Sequence, residues 1–399
     1  MHVNRRKFLT LGSLATGSLM LPKFLKAFEG PVRGLGGNKV LIVLQLSGGN
    51  DGLNTVIPVR NDIYYRSRPG ISITKEKALA LRDDAGLHPS LTNFKELYDE
   101  GSMAILNNVG YPNPDRSHFR SMDIWQTASD SNEVLNSGWL GRYLDAQCLD
   151  CAKPTQVLEM DDMLSLALSG DKMKGIALRD PKRLYDTSQD PFFKEMLNAG
   201  MHQQTEEPAS YLYKVMAETV SGADYIFQQS KLRPSMLPYP NSEIGKNLKT
   251  VASLISSDIN TRVYYVSLGS FDTHVGQQDK QAKLFSDLND AIKPFTDDLK
   301  SNHRFDDVLM MSFSEFGRRV SENGSGGTDH GTANNMFLIS GGLKNKGILN
   351  EMPDLSNLTD GDLNQQLDFK RVYATILNNW LQADDYKILG RQYEYLNFI

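Results

Sequence analysis

Cysteine is nearly absent from this chain: its 399 residues hold two, Cys148 and Cys151, spaced as Cys-Leu-Asp-Cys. In an oxidising compartment such a pair can close a small disulfide loop, and without a second pair it makes a poor zinc site. A redox pair is a further reading, although no strand-to-helix transition leads into it. An excess of positive charge is also missing. The formal net charge is −5, so nothing advertises a nucleic-acid surface. Beyond residue 29 no apolar run has the length of a membrane span, so no transmembrane anchor is expected in the mature chain.

What is present begins with Asn4-Arg5-Arg6-Lys7-Phe8-Leu9, followed by a weakly apolar run from Leu11 to Leu21 that contains Gly, Ser and Ala. That is a signal-peptide layout, and the paired arginines with Phe8 and Leu9 behind them resemble a twin-arginine export signal. The run is short for a bilayer span; a basic arm or an uncleaved anchor are the alternatives. Residues 1–29 are therefore expected to be a signal peptide, cleaved near Ala27-Phe28. The twin-arginine export machinery is the expected partner and the periplasm, or another exported location, the destination. About 370 residues remain, enough for one large α/β domain over 38–399 with insertions.

Lys39 to Leu46 reads as the first strand, and Ser47-Gly48-Gly49-Asn50-Asp51-Gly52 turns after it, with Asp51 at its carboxyl end. Asn-Asp-Gly is also ordinary turn chemistry. A helix is expected at Leu91 to Tyr98 and a strand at Met103 to Val109. The loop after it runs through Pro112, Pro114 and Arg116 to Ser117-His118, ahead of an expected helix from Ser121 to Ala128. Ser117 falls where a helix cap belongs, so it is either a cap or a nucleophile presented to a phosphate-like group. His118 reads as a ligand, a general acid or a packed histidine. Gly138 to Leu144 opens another helix. From 150 to 245 the signals thin to short strands such as Thr155 to Leu158, then polar helical segments, and the span is expected to be an insertion or cap. Three prolines between Pro234 and Pro240 read as a linker, ahead of a helix at Leu248 to Ile255.

Thr261 to Leu268 restores the strand pattern and leads into Asp272-Thr273-His274. In extended chain two residues of separation point both side chains the same way, as ligands of one ion require. Helix Gln277 to Leu299 carries Phe285, Leu288, Ile292, Phe295 and Leu299 at core spacing. Val308 to Phe313 is the next strand, with Glu315 just past it. A glycine-rich loop, Asn323 to Gly327, then delivers Thr328-Asp329-His330-Gly331 ahead of the apolar run Met336 to Ile339. An Asp-His pair in such a loop can be a self-satisfying turn. Ligands of open α/β sheets bind beyond the strands' carboxyl ends, which is where Asp51, Asp272, His274, Glu315, Asp329 and His330 all fall. Their mix of oxygen and imidazole suits zinc, manganese or a related divalent ion.

The stretches SGGNDGLNT, RSHFRSMDIWQ, GWLGRYLD, SFDTH, SEFGR and GGTDHG resemble the bacterial exported family known as domain of unknown function 1501, over nearly the whole mature chain. That resemblance implies the alkaline phosphatase and sulfatase superfamily: a three-layer α/β fold, its mostly parallel sheet covered by helices on both faces, with metal ions at the strand ends. Under it, Asp51 resembles the first-strand aspartate that binds the metal on the nucleophile's side. Asp272 and His274 resemble the Asp and His of the other metal, although the superfamily spaces them wider. Glu315 stands where an Asp-His pair normally follows its strand, with Phe316 in the histidine's place. His330 resembles the last histidine ligand, since no histidine follows it. The competing alignment makes Asp329-His330 the Asp-His pair itself. One occupied site of Asp272, His274 and His330, with Asp51 and Glu315 nearby, is the expectation, and Ser117 is the best available nucleophile. Arg142, Arg318 and Arg319 are either oxyanion partners or solvated charges. The implied function is an exported metal-dependent hydrolase of phosphate or sulfate esters, acting on a small-molecule or envelope ester. The alternative is a non-catalytic envelope binding or assembly protein that keeps the fold, with or without one structural metal.

Overall fold

Strand Val40–Leu46 (β1) is apolar along its whole length because the sheet it centres is covered on both faces. Leu41 and Val43 point into one core, while Val40, Ile42, Leu44 and Leu46 point into the other. The computed structural model describes residues 39–147, 154–191, 195 and 207–399; the expected signal segment and both cysteines lie outside them. The other strands of the main sheet are Met103–Gly110 (β2), Val157–Glu159 (β3), Ile176–Ala177 (β4), Val263–Leu268 (β5), Val308–Phe313 (β6), Asn334–Ile339 (β7), Gly347–Ile348 (β8) and Leu367–Asp368 (β9). Their order is β8-β2-β7-β6-β1-β5-β3-β4, with β9 also on β2.

β1 pairs in parallel with β5 and β6, and β3 extends the parallel run from β5. β7 alone runs antiparallel, against β6 on one side and β2 on the other. The sheet is thus mostly parallel, and one edge collects the ends of β1, β2, β5 and β6 together with the start of β7. That edge carries the chemistry.

Helices His118–Thr127 (α1), Trp139–Gln147 (α2) and Phe369–Thr375 (α5) cover one face, and Glu243–Ser256 (α3) and Gln277–Ser301 (α4) the other. On the first face aromatics stack, Trp125 on Phe369 at 4.1 Å and Trp139 on Tyr373 at 4.2 Å between ring centres. On the second, Phe285, Leu288, Ile292, Phe295 and Leu299 of α4 are buried as their spacing requires. Each such side chain contributes about 1.5–3 kcal/mol by leaving water, which makes both faces obligatory cover.

Part of the 150–245 span belongs to the sheet itself, since β3 and β4 extend it beyond β5. The proline-rich stretch 234–240 lies along helices instead of linking lobes. Ser235 N donates to Ser253 Oγ of α3 at 3.0 Å, and Tyr239 Oη donates to Asp298 Oδ2 of α4 at 2.6 Å. Among the described residues no helix is long and apolar enough to cross a membrane.

Candidate metal centre

Three loops meet beyond the carboxyl edge of the sheet. The turn after β1 uses Gly48 and Gly49 at φ +119° and +71°, and a Cβ on Gly48 would stand 2.4 Å from the backbone nitrogen of Asp272. Only glycine lets these two loops close on each other. After β6 the chain runs through Glu315 to Arg319 and later returns beside itself. Gly317 N donates to Thr332 O at 2.8 Å, Gly331 N to Gly317 O at 2.8 Å and Arg319 N to Asp329 O at 3.0 Å. This short ribbon sets His330 opposite Arg318.

Arg318 is 1% exposed and binds all three loops together. Its guanidinium donates to the carbonyls of Gly48, Gly49, Thr328 and Phe271, and to Asp272 Oδ1 at 2.7 Å. The expected oxyanion role therefore gives way to a positioning one, because its donors are spent. Arg142 is turned inward likewise, donating to the carbonyls of Ser137, Thr127 and Ile388. Arg319 stays half-exposed, with Asp362 3.6 Å away.

Three imidazoles face Asp272 across this edge. His274 Nε2 lies 3.0 Å from Asp272 Oδ1 and His330 Nε2 lies 3.3 Å from it, while His118 Nε2 is 3.7 Å from Oδ2. The Nδ1 atom of each ring meets an oxygen that only accepts: Glu315 Oε1 at 2.9 Å for His118, Asp329 Oδ1 at 3.2 Å for His274, and the Arg116 carbonyl at 2.9 Å for His330. Each Nδ1 is thereby placed to donate, which leaves Nε2 as the atom a metal would take; without an ion, the Asp272 carboxylate beside His274 Nε2 and His330 Nε2 accepts a proton from them instead. His274 Nε2 and His330 Nε2 stand 2.9 Å apart, and His118 Nε2 is buried with no hydrogen-bond partner. Two ring nitrogens at that distance need a proton or a cation between them.

The spacing fits an ion. Two donors at about 2.1 Å from one metal stand about 3.0 Å apart in octahedral geometry and about 3.4 Å apart in tetrahedral geometry. The observed separations bracket those values, and His118, Asp272 and His330 each offer a ligand atom within 4.8 Å of the others. The Asp272 side chain is 48% exposed, so one side of the cluster is open to solvent.

Charge follows the same partners. Glu315 holds the His118 imidazole above its ordinary range. Burial pushes His330 down, and the Arg318 charge adds to this. Burial alone would raise Asp272, but the Arg318 hydrogen bond and charge outweigh it and hold the carboxyl low. Asp329 is lowered by its bond from Asn323, then by His274.

The other expected residues take different places. Asp51 is not presented to the cluster: its fully buried carboxylate pairs with Arg68, caps Leu53 N at 3.1 Å and accepts from the Gln277 amide. Glu315 and Asp329 stand behind His118 and His274 instead of facing the centre. Glu315 also accepts from Gly48 N at 2.8 Å, which ties it to the β1 turn. Ser117 occupies the cap position of α1, exposed, and its hydroxyl makes no capping bond. Phe316 is buried against the His118 and His330 rings, 4.8 and 4.7 Å between centres. Sequence reading missed Arg68 and the Arg116 carbonyl. Neither has a signature, since Arg68 sits in an irregular loop and any residue supplies a carbonyl.

Several solved structures are similar to this chain. Ps i-CgsB, in complex with k-i-k-neocarrahexaose, is 11% identical over 89% of this chain and 73% of its own, with a TM-score of 0.38. The lipoteichoic acid synthase LtaP from Listeria monocytogenes is 11% identical, covering 82% of this chain and 73% of its own, at 0.34. Alkaline phosphatase from the Antarctic bacterium TAB5 is 9% identical, covering 76% and 92%, at 0.33. Likeness this distant carries no argument about activity. No curated protein sequence matches the chain. The family described as "Protein of unknown function (DUF1501)" matches residues 38–393, and the chain belongs to that family.

Proposed function

We propose that this protein is an exported metal-dependent hydrolase of phosphate or sulfate esters. The observation that carries the reading is that His118, Asp272 and His330 each offer a ligand atom within 4.8 Å of the others, with His274 Nε2 beside Asp272 and His330. His118, His274, His330 and Asp272 are the proposed ligands, and zinc or manganese suits their chemistry. An ion held there supplies Lewis acidity to an ester's phosphoryl or sulfuryl oxygen.

The chain's own residues do the rest. Glu315, Asp329 and the Arg116 carbonyl hold the rings in one tautomer and orientation, so the ligand set is organised before it binds. A single carboxylate faces the position, so a divalent ion there keeps net positive charge and draws an anionic ester. Ser117 is the proposed nucleophile, at the start of α1 next to His118, where the free amides of the first turn favour an anion. Ser117→Ala separates attack by serine from attack by water. The leader with its paired arginines supports export by the twin-arginine route, and a small-molecule or envelope ester is the proposed substrate.

One observation favours the non-catalytic reading. Asp51, which resembles a ligand of a second metal, is sealed in its ion pair with Arg68. The deciding experiment is elemental analysis of the natively exported protein, paired with a hydrolysis screen of phosphate monoesters, phosphate diesters and sulfate esters. Near-stoichiometric metal with turnover that a chelator abolishes supports the hydrolase. Metal-bearing protein inactive across the screen supports the binding protein. Folded protein that takes up no metal overturns the metal centre.

A further inference from the structure

Behind the cluster lies a feature that its chemistry does not use. Residues 358–363 form a hairpin, Leu358 opposite Leu363 and Thr359 opposite Asp362, turned by Asp360 and Gly361 at φ +53° and +84°. Two consecutive positive φ values are the signature of the tight turn that suits strand twist. The hairpin is docked on the ribbon that carries His330. Thr332 Oγ1 donates to Leu363 O, Val320 N donates to Gly361 O at 3.4 Å, and Leu363 packs in one core with Val320 and Ala333.

The docking brings Asp362, 1% exposed, against two arginines. It pairs with the Arg116 guanidinium and lies 3.6 Å from Arg319 Nε. A buried carboxylate paired with arginines that are themselves about 40% exposed contributes little net stability, so its presence calls for another reason. Both arginines belong to supports of the cluster. The Arg116 carbonyl takes the His330 Nδ1 hydrogen, and Arg319 N holds the carbonyl of Asp329, whose carboxylate takes the His274 Nδ1 hydrogen. The support of His118 is separate, because Glu315 hangs on Gly48.

We propose that the hairpin 358–363 positions the metal centre through Asp362, which fixes the supports of His274 and His330 while leaving that of His118 alone. This rests on the metal reading above. Asp362 touches neither ion nor ester; it is a positioning residue.

The test uses the metal-stripped mature protein, titrated with Zn2+ and separately with Mn2+ by calorimetry, in wild type, Asp362→Asn, Arg116→Met, Arg116→Lys and the double variant Asp362→Asn with Arg116→Met. Loss of a partner directly behind a ligand lowers metal affinity about 10–100-fold; Asp362 stands one contact further back, and a loss of about 10-fold is the expectation for Asp362→Asn. Arg116→Met falls in the same direction and Arg116→Lys recovers part of the loss. Because the two residues act in one chain, the double variant binds no more weakly than Asp362→Asn alone. The Tm of the metal-free protein is measured alongside, as are the imidazole nitrogen resonances, in which His274 and His330 lose their fixed tautomer and His118 keeps it. The proposal is overturned if the single variants bind as tightly as wild type, if their losses add, or if affinity falls only where the metal-free Tm falls in step. A wild type that binds neither metal removes the metal reading itself and the hairpin's role with it.

Discussion

Asp51 and Asp272 begin alike and end differently. Both follow a strand of the parallel run, both stand near an arginine, and both resemble metal ligands by their place in the chain. At Asp51 every neighbour is a donor: Arg68, Gln277 and Leu53 N spend the carboxylate in a site closed to solvent. At Asp272 the arginine is divided among four carbonyls as well, and the remaining neighbours are imidazole nitrogens, which exchange a proton for a lone pair where an arginine cannot. A strand-end aspartate becomes structural or chemical according to what fills its other lone pairs.

Asp51→Ala tests the closed half most severely. It leaves Arg68 buried without its counter-charge, at a cost of about 3–5 kcal/mol in denaturant unfolding, while metal uptake per folded molecule stays as in wild type. Loss of metal from that variant at full folding would erase the distinction between the two aspartates. His330→Ala probes the open half. Metal affinity falls by more than about 100-fold, beyond what a support costs, and any esterase activity goes with it. Unchanged metal content would remove His330 from the site.

Glu315→Gln is expected to weaken metal binding by about 10–100-fold with the fold intact, since an amide is a poorer acceptor for the His118 Nδ1 hydrogen. Calorimetric titration at fixed pH reads it; equal affinity would make Glu315 a strut of the β1 turn only.

The smallest effect concerns a third strand-end carboxylate. Glu159, last residue of β3, is 4% exposed and accepts from Ser165 N at 2.6 Å, and burial pushes its carboxyl up to about 7. A raised carboxyl binds its proton in the folded state where the unfolded chain has already released it. Stability is thus lost as pH rises from the unfolded value to about 7, and is flat beyond. Glu159→Gln should match wild type near pH 4.5 and exceed it by about 1–2 kcal/mol at pH 8. Equal stability at both pH values would mean that burial without a cation costs Glu159 nothing.

The strands and the long helices were legible in the sequence. Continuous apolar runs such as Val40–Leu46 and Val308–Phe313 have one stable outcome, burial on both faces of a sheet, and α4 announces its buried stripe by spacing. The gathering of Asp272, His274 and His330 at one sheet edge was legible as well, because they lie in loops that follow strands of the parallel run. Other assignments were not. Met336–Ile339 reads like its neighbours but β7 runs antiparallel, since strand direction depends on where the connection returns and not on the strand's own residues. Within 150–245 a strand near Thr155 to Leu158 was legible but its place in the main sheet was not, and Ile176–Ala177 is too short to leave a pattern.

By itself, then, the chain's order of apolar runs, glycine turns and polar strand ends determined an α/β sheet with carboxylates and imidazoles along one edge. Tertiary structure alone decided which of them face one another. His118 meets Glu315 across 197 residues, His330 meets the Arg116 carbonyl across 214, and Asp51 is claimed by Arg68 from a loop 17 residues on. The physical reason is that a ligand is defined by a lone pair left unspent. What spends it is a donor brought near by folding, often a backbone group or an arginine whose identity carries no local sign of the partner it will meet.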